Sequence, residues 1–439
     1  MNLVFVYADQ LRAGACGFDG NPMQITPNLD RMASRGVRFT NCISGMPVCG
    51  PWRACFFTGQ YPLTHGHFLN DLRLQTDRPT LGTVLKQAGY QTAYIGKWHL
   101  DGPDRGGFIP PGPRRQGFDY WAAANCSHEY SHSHYYKDSP EPLYWEGYDA
   151  IAQTTEAIDY IDRASQKDKP FALVMSWGPP HEPYKDVPQK YLDRISPESV
   201  FIPPNCPDPN IEEHRGYYAH ILALDEQIGR LEEALESRGL IEDTVFIFTS
   251  DHGDMLGSQG QQKKQQPWNE SVRVPFLIRS PGQFASGGQT KTFLNVWDMM
   301  PTLLGLLGVD CPETVQGRDL SAAVRDANFV GPDATLACSI APFGPFPPAW
   351  RAIISHDGTY VRNLEGPWLL YDNETDPWQL DNLVNQPEHA ILQARLEEQL
   401  QKQLQQAGDD FQPSETYLKR WGYEVDDDKA TPYFSSLNG

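Results

Sequence analysis

The stretch LVFVYADQ, Leu3–Gln10, decides which fold this sequence predicts. Its first five residues are apolar and rich in β-branched and aromatic side chains, and it ends in Asp9 and Gln10. A continuous apolar run of this length is typical of a strand that is buried on both faces of a largely parallel sheet. In such sheets, ligands bind beyond the carboxyl ends of the strands. Asp9 and Gln10 are therefore the first candidates for a functional site.

A second apolar run, far along the chain, has the same character. Thr244–Thr249 reads TVFIFT and is followed by Ser250, Asp251 and His252. Because the carboxyl ends of parallel strands share one rim of the sheet, we expect Asp9 and Asp251 to lie close together. Carboxylate and amide oxygens are the ligands that Ca²⁺ and Mg²⁺ prefer. The two strand ends therefore favour a metal site, although a single Asp in such a position also serves as a turn residue or a helix cap.

Strands and helices alternate along the chain up to about residue 325. This alternation predicts an α/β fold with a large mixed, mainly parallel sheet that is sandwiched by helices. The predicted strands are Leu3–Tyr7, Thr92–Ile95, Phe171–Trp177, Thr244–Thr249 and Pro275–Arg279, and the predicted helices are Pro27–Gly36, Thr80–Ala88, Ala150–Ser165, Glu212–Ser237 and Val296–Leu307.

The length of 439 residues exceeds what a single small core usually holds, so two domains are expected. We place the boundary in Ala327–Thr335, where Asn, Gly and Pro occur with little periodicity. Residues 1–326 form the predicted N-terminal domain, and residues 336–439 form a smaller C-terminal α+β subdomain. Its antiparallel sheet is predicted from Trp350–Ser355, Thr359–Asn363 and Trp368–Asp372, and an amphipathic helix at 387–407 is expected to pack on that sheet.

The run Cys49-Gly-Pro-Trp-Arg53, with Thr58-Gly59 shortly after it, is the most informative motif of the chain. This C-x-P-x-R core resembles the signature of type I sulfatases, which belong to the alkaline phosphatase superfamily. In that family the cysteine is converted to formylglycine (3-oxoalanine), whose hydrate is the nucleophile. The resemblance implies the same conversion at Cys49, with a formylglycine-generating enzyme as maturation partner. A cysteine outside such a motif is more commonly a small apolar residue.

The two strand ends extend the resemblance. Asp251-His252-Gly253 looks like the second metal-binding segment of sulfatases, and Asp9-Gln10 stands where the first segment often reads Asp-Asp. The Asp-Gln pair also occurs in phosphonate monoester hydrolases of the same superfamily. The resemblance implies a divalent-metal site, with Ca²⁺ as the expected ion and Mg²⁺ or Mn²⁺ as alternatives, formed by Asp9, Gln10, Cys49, Asp251 and His252.

Three further segments match the sulfatase pattern: Lys97-Trp-His99, His181 and Lys264. The resemblance implies that both lysines bind sulfate and that His181 protonates the leaving alcohol, whereas His99 takes a proton from the second hydroxyl of the hydrate. Fixed cations suit this chemistry because attack on sulfur concentrates negative charge on oxygen. The implied catalytic set is Cys49, Arg53, Lys97, His99, His181 and Lys264.

Two loop segments are candidates for substrate binding. Residues 64–71 follow the Cys49 motif, and residues 127–136 are rich in histidine and aromatic residues. Sugars are bound by aromatic faces and by polar side chains on loops. A transition-metal site of three histidines in the second segment is the alternative interpretation. The predicted substrate-binding residues are His65, His67, Asn70, Asp71, Arg73, Arg105, His128, His132, His134 and Trp268.

The chain is strongly acidic, with 36 basic and 56 acidic residues and a formal net charge of −20. This balance, without a basic stripe, argues against a nucleic-acid partner. It also argues against long-range attraction of a polyanion, and so favours a small or chain-end sulfated sugar. The loops are similar to those of bacterial carbohydrate sulfatases, and the expected activity is that of a sulfuric ester hydrolase acting on a sulfated carbohydrate.

Two alternatives to this activity are open. One is a phosphonate monoester or phosphodiester hydrolase with the same nucleophile, which the Asp9-Gln10 pair supports. The other is a noncatalytic protein that binds sulfated glycans. The second is disfavoured because a binding protein does not need the nucleophile, whereas this chain has the whole set Cys49, Arg53, Lys97, His99, His181 and Lys264.

The eight cysteines are scattered and form no C-x-x-C motif, which argues against a structural zinc site and predicts reduced thiols. No stretch approaches the roughly twenty apolar residues that span a bilayer, so no membrane partner is expected. The first strand begins at once, which predicts a cytoplasmic enzyme, although an exported sulfatase (periplasmic or secreted) trimmed of its signal would look the same. Homo-oligomerisation is left open.

Overall fold

An eight-stranded sheet organises the larger part of the molecule in the computed structural model, which describes residues 1–284 and 286–437. The strands are β1 (Asn2–Asp9), β2 (Val37–Ile43), β3 (Gln91–Lys97), β4 (Tyr120–Ala124), β5 (His134–Tyr135), β6 (Leu143–Tyr144), β7 (Phe171–Pro180), β8 (Thr244–Ser250), β9 (Phe276–Arg279), β10 (Gly288–Asn295), β11 (Ala334–Ser339), β12 (Trp350–Ser355), β13 (Gly358–Asn363) and β14 (Gly366–Asp372). The helices are α1 (Pro27–Arg35), α2 (Cys49–Thr58), α3 (Pro62–His65), α4 (Leu81–Gln87), α5 (Asp149–Ser165), α6 (Gln189–Leu192), α7 (Ile211–Ser237), α8 (Asn269–Val272), α9 (Val296–Leu307), α10 (Ala322–Arg325), α11 (Ala390–Ala407) and α12 (Ser414–Trp421).

The strand order of the large sheet is β10-β2-β9-β8-β1-β7-β3-β4. Strand β1 pairs in parallel with both β7 and β8, and β3 pairs in parallel with β7 and β4. Only the short β9 runs antiparallel to its neighbours β8 and β2 among the described strands of this sheet. The prediction of a mixed, mainly parallel sheet is confirmed. The carboxyl ends of β1, β3, β7 and β8 consequently lie side by side on one rim.

Strand β1 explains why helices cover both faces of the sheet. All eight of its residues are buried, and alternate side chains enter two different cores. Leu3 and Phe5 join the core that includes α2, α4 and α9, whereas Val4 and Val6 join the core that includes α1, α5 and α7. A strand with apolar residues on both faces requires both layers.

The smaller sheet, in the order β11-β12-β13-β14, is antiparallel throughout. Helix α11 packs on it through Leu396, Leu400 and Leu404, as its apolar stripe predicts. Strand β11 was not predicted, because its sequence ATLACS is weakly apolar, and it begins inside the predicted boundary Ala327–Thr335. One apolar cluster includes residues of both sheets, and the division into two domains stays a prediction.

Most predicted elements are confirmed within a few residues, including all five strands of the large sheet that were predicted and the helix at Val296–Leu307. In the described part of the chain, no helix has both the length and the apolar character that crossing a bilayer requires. The eight cysteines, all within that part, are free thiols.

Candidate active site

Four neighbouring strands deliver the candidate catalytic residues to one rim of the sheet. Asp9 is the last residue of β1, Lys97 is the last residue of β3, and Asp251 follows β8 directly. His181 follows β7, so that four distant parts of the chain meet. Cys49 is the first residue of α2 and is buried. Parallel pairing alone therefore explains why these side chains converge.

Asp9, Cys49, Asp251 and His252 form a group that could hold a metal ion. One potential ligand atom from each of them lies within 4.8 Å of all the others. The Cys49 sulfur is 3.5 Å from an Asp9 oxygen and 3.2 Å from His252 Nε2. His252 Nε2 is 3.6 Å from an oxygen of Asp9 and 3.6 Å from an oxygen of Asp251.

The tautomer of His252 supports this interpretation. His252 Nδ1 lies 2.9 Å from the carbonyl oxygen of Gly253, so Nδ1 carries the hydrogen and donates it there. Burial lowers the pKa of this ring, but Asp251 and Cys49 raise it above its ordinary value. Nε2 faces the Cys49 sulfur and two carboxylates, and in its neutral form it would add a lone pair to these electron-rich atoms. Such a donor set fits a divalent cation, which removes their mutual repulsion.

Gln10 acts beside this group through hydrogen bonds. Its amide nitrogen donates to Glu182 and to Asp254, each at 2.8 Å, and its amide oxygen accepts from Lys264 at 3.0 Å. Its backbone N–H donates to Asp251 at 3.0 Å. Gln10 thus orients Asp251 and Lys264, and direct metal ligation by Gln10 stays a prediction.

Three buried cations surround the acidic group. Lys97 Nζ lies 2.7 Å from an oxygen of Asp9, and Lys264 Nζ lies 3.4 Å from the Cys49 sulfur. Arg53 bridges Asp9 and Asp251 at 3.2 and 3.4 Å. Arg53 also donates to Tyr7, Ser176 and the carbonyl oxygen of Lys97, so it clamps the strand ends together.

These cations set the protonation of the acids. Burial raises the pKa of Asp9, but the positive charges of Lys97, Lys264 and Arg53 outweigh burial and hold it well below its ordinary value. Burial and Asp9 raise the pKa of the Cys49 thiol, yet Lys264, Lys97 and His252 hold it well below its ordinary value too. Burial and the nearby Asp9 raise the pKa of Asp251. The site therefore favours an anion at position 49.

His99 is held by Asp71, which in turn is held by Arg105. His99 Nε2 lies 3.2 Å from Asp71, and Arg105 donates two hydrogen bonds of 2.7 Å to the same carboxylate. Burial lowers the pKa of His99, but Cys126, Asp71 and Cys49 raise it to about 10. Asp71 and Arg105 thus position His99, and the prediction that they bind substrate stays a prediction.

His181 is a neutral acceptor in this arrangement. Its Nδ1 lies 2.8 Å from the carbonyl oxygen of Glu182 and donates to it, whereas its Nε2 lies 2.6 Å from Lys264 Nζ. Burial, Lys264 and His128 hold the pKa of His181 well below its ordinary value. The His128 ring stacks on His181 at 4.3 Å between centroids.

A cavity of about 490 Å³ opens next to these groups, within the range usual for ligand sites. Residues from the large-sheet part of the chain line most of it, and Phe343 and Phe346 come from the segment between β11 and β12 of the smaller sheet. We call it the catalytic cavity. Its lining includes Asn70, Arg105, His128, His181, Lys264 and Phe346.

Side chains of residues 65–70 contact helix α2. The Nδ1 atom of His65 accepts from the backbone N–H of His67 at 3.0 Å, and the His65 ring lies 3.3 Å from the Cys55 sulfur. Asn70 accepts from the backbone N–H of Gly50 at 2.9 Å, in the first turn of α2. His65 and Asn70 thus contact the Cys49 helix, Asn70 also lines the catalytic cavity, and substrate binding by these two residues and His67 stays a prediction.

The structure does not bring four predicted substrate-binding residues to the catalytic cavity. Arg73 pairs with Asp101, and Trp268 donates to Tyr371 and belongs to a core cluster of the smaller sheet. His132 is exposed, and His134 lines a neighbouring cavity. Among the described residues, His128, His132 and His134 do not form a metal-binding group. Their positions are set by loop paths, which local sequence does not encode.

Sequence reasoning missed Cys126, Glu182 and Asp254. Cys126 follows β4 and is a neighbour of His99, and Glu182 and Asp254 both accept from Gln10. Asp254 stands directly after Asp251-His252-Gly253, so its position in the motif was a usable signal.

The model of the family described as sulfatase matches residues 1–309. The chain belongs to the sulfatase family. It is a sulfuric ester hydrolase.

Relatives match this sulfatase over nearly its whole length. An ulvan-active sulfatase of Formosa agariphila is 42% identical over 450 residues, which cover 100% of this chain and 88% of the relative. A solved Bacteroides thetaiotaomicron protein, described in connection with the metabolism of multiple glycosaminoglycans, matches with a TM-score of 0.86 and 27% identity over 95% of this chain and 99% of its own. A structure solved with its substrate D-glucosamine-2-N,6-O-disulfate matches with a TM-score of 0.84 and 25% identity over 94% and 99% of the two chains.

Proposed function

We propose that this sulfatase removes sulfate from a sulfated carbohydrate, with formylglycine at position 49 as nucleophile and Ca²⁺ as its metal. The observation that carries the proposal is the convergence of Asp9, Cys49, Asp251 and His252 within 4.8 Å, beside two buried lysines. The sugar substrates named for the relatives support the carbohydrate class.

Position 49 suits an oxygen nucleophile. The hydrated aldehyde supplies a hydroxyl that attacks sulfur and a second hydroxyl whose deprotonation lets sulfate leave. Cys49 opens α2, whose first turn brings the positive end of the helix dipole to the reacting sulfur. Lys264 and Lys97 Nζ lie 3.4 and 4.0 Å from the Cys49 sulfur, whose place an oxygen takes on conversion, so they favour the anionic form of the nucleophile.

The metal would be held by Asp9, Asp251 and His252, with Gln10 as a further oxygen donor. A bound Ca²⁺ supplies positive charge that stabilises oxygen anions. Asp9 also anchors Lys97, and Asp251 also anchors Arg53, so the carboxylates set the positions of the cations as well.

Lys97 and Lys264 are the sulfate-binding groups in this proposal. Both are buried and held by fixed partners, so they reorganise little when charge grows on the sulfate oxygens. Preorganised charges of this kind contribute most when water is excluded.

His181 delivers the proton to the leaving oxygen. Its Nε2 faces Lys264, which keeps this nitrogen unprotonated before substrate arrives. A sulfate that engages Lys264 adds negative charge next to His181 and raises the pKa of its ring, so the acid form develops where it is needed.

His99, oriented by Asp71, accepts the proton from the second hydroxyl. Its pKa of about 10 depends in part on the sulfur of Cys49. Cys126 and Asp71 raise this pKa more than Cys49 does, so conversion of Cys49 removes the smallest of the three contributions and shifts the pKa of His99 downward.

The test is a screen of sulfated mono- and oligosaccharides for released inorganic sulfate. The protein is produced together with a formylglycine-generating enzyme, and mass spectrometry of the peptide with Cys49 reports the conversion. Sulfate release that depends on conversion supports the proposal. Full activity with an unmodified thiol would contradict it.

A phosphonate monoester hydrolase is the second candidate, because Gln10 leaves the metal group with one negative charge fewer than Asp-Asp would. Rates on aryl sulfate, aryl phosphonate and sulfated sugars at equal enzyme concentration separate the two. A strong preference for the phosphonate would overturn the proposal that the substrate is a sulfate ester.

A further inference from the structure

A second cavity of about 380 Å³ adjoins the catalytic cavity. Arg105 and His128 line both, so these two side chains form the ridge between them. His128 stacks on the catalytic His181, and Arg105 holds Asp71 behind His99. A molecule that extends from the catalytic cavity over this ridge enters the second cavity.

The end of the chain builds one wall of this second cavity. Phe434 forms a parallel bridge with Asp104, and its carbonyl oxygen accepts from the backbone N–H of Arg105 at 2.8 Å. Ser436 donates its backbone N–H to Asp104 at 3.1 Å. These bonds fix the segment 431–437 (the C-terminal strap) against the loop after β3.

Two half-exposed tyrosines belong to the lining of this cavity. Tyr433 of the strap is 53% exposed and Tyr144 of β6 is 50% exposed. Each ring has one partner: Arg105 lies 3.5 Å from the centroid of Tyr433, and His132 stacks on Tyr144 at 5.0 Å. The rings are thus held in place while leaving area free for a ligand.

The cavity also contains an unpaired polar group. His134 is nine-tenths buried and lines the cavity, and its Nε2 has no hydrogen-bond partner in the described structure. A buried donor or acceptor without a partner costs free energy that a ligand hydroxyl can recover. Ser127 adds a hydroxyl group, and the charge of Arg105 is already balanced by Asp71.

We propose that this second cavity binds the sugar unit next to the sulfated one, so that the substrate is a sulfated oligosaccharide of at least two units. Tyr433 and Tyr144 supply aromatic surface for the sugar ring, and His134 binds one of its hydroxyl groups. The proposal rests on the proposed function, and it makes the C-terminal strap a specificity element of this chain.

The experiment compares kcat/KM on three probes: 4-methylumbelliferyl sulfate, sulfated monosaccharides, and disaccharides that carry the same sulfated unit, prepared from ulvan, chondroitin sulfate and heparan sulfate. The proteins are matured wild type, Tyr433→Ala, Tyr144→Ala and Tyr433→Phe. Phe434→Ala is the matched control, because Phe434 belongs to the strap and is 57% exposed but does not line the cavity.

We expect wild type to prefer one disaccharide over its matched monosaccharide at least tenfold. Tyr433→Ala and Tyr144→Ala should reduce that ratio to about two or less, whereas Tyr433→Phe and Phe434→Ala should keep it. Equal kcat/KM of wild type on every matched pair would overturn the proposal. A disaccharide-to-monosaccharide ratio that stays high in both Tyr433→Ala and Tyr144→Ala would also overturn it. The same holds if Phe434→Ala lowers this ratio as much as the tyrosine-to-alanine substitutions do.

Failure of the proposed function has a different signature. In that case wild type turns over 4-methylumbelliferyl sulfate but releases no sulfate from any sugar, with one unit or two. Sulfate release from sugars without a disaccharide preference would overturn only the second cavity's assignment.

Discussion

The catalytic cluster and the second cavity are built in opposite ways. Asp9, Lys97 and Asp251 stand at the ends of buried parallel strands, and their positions follow from the pairing of the large sheet. Tyr144 and Tyr433 stand on a two-residue strand and on the C-terminal strap, and both are half exposed. This contrast indicates that the sheet positions the catalytic groups, whereas the loops and the C-terminal strap determine which molecules can reach those groups.

The largest effect that separates the two regions is expected for Cys49→Ser. Serine can accept sulfate but cannot release it as an aldehyde hydrate does, so turnover should fall by at least about a thousandfold. Release of sulfate from an aryl sulfate measures this. Cys311→Ser is the matched control, since Cys311 is an exposed free cysteine and should change turnover little. Comparable losses in the two variants would refute the catalytic role of position 49.

Lys264→Ala should lower kcat about a hundred- to a thousandfold, as the loss of a preorganised charge does. Lys263→Ala is its neighbour in sequence. Lys263 is half exposed and pairs with Glu182 at 2.8 Å, so its removal should change kcat by no more than about threefold. Steady-state kinetics on one sulfate ester compares the pair, and equal losses would contradict the assignment of Lys264.

Asp71→Asn should lower kcat about tenfold to a hundredfold, because His99 loses the carboxylate that orients it. Asp71 is one of the groups that raise the pKa of His99, so its loss shifts that pKa downward from about 10. The pH dependence of kcat should move to lower pH accordingly. Asp101→Asn removes a carboxylate that pairs with Arg73 and Arg114, and it should leave the pH profile in place.

The smallest effect concerns stability in acid. Burial and His99 lower the pKa of His67 to about 3, and neither ring nitrogen has a partner. The neutral ring therefore stabilises the fold above about pH 6.5, and this contribution is lost as pH falls toward 3. At pH 5 this group lowers the free energy of unfolding by about 2 kcal/mol relative to pH 7. His67→Phe should show a smaller fall of Tm between pH 7 and pH 5 than wild type, and equal falls would contradict this account.

Sequence predicted the catalytic cluster well, because Asp9 and Asp251 end long apolar runs whose burial is visible in the pattern. It predicted Lys97 and His181 for the same reason, and the sulfatase resemblance supplied their roles. It could not predict contacts that come from distant loops. Trp268 packs against the smaller sheet, and Asn70 both lines the catalytic cavity and accepts a hydrogen bond from the first turn of α2, and no local pattern predicts these contacts.

The second cavity was beyond local reasoning for the same physical cause. Tyr433 and Arg105 meet only because the strap pairs with the loop after β3, and residues 431–437 carry no periodic pattern that predicts such pairing. His128, His132 and His134 were predicted to bind substrate, and the structure places His128 and His134 in the lining of the second cavity and His132 against Tyr144 of that lining, so their substrate binding stays a prediction.

The central claim is that an oxidised side chain at position 49 touches a cation held by Asp9 and Asp251. A crystal structure of the matured, active protein grown with Ca²⁺ tests it most directly. The account predicts formylglycine at position 49 and one ion bonded to oxygens of Asp9 and Asp251 at about 2.3–2.6 Å. Fully active protein with an unmodified Cys49, or with no ion between the two carboxylates, would contradict it.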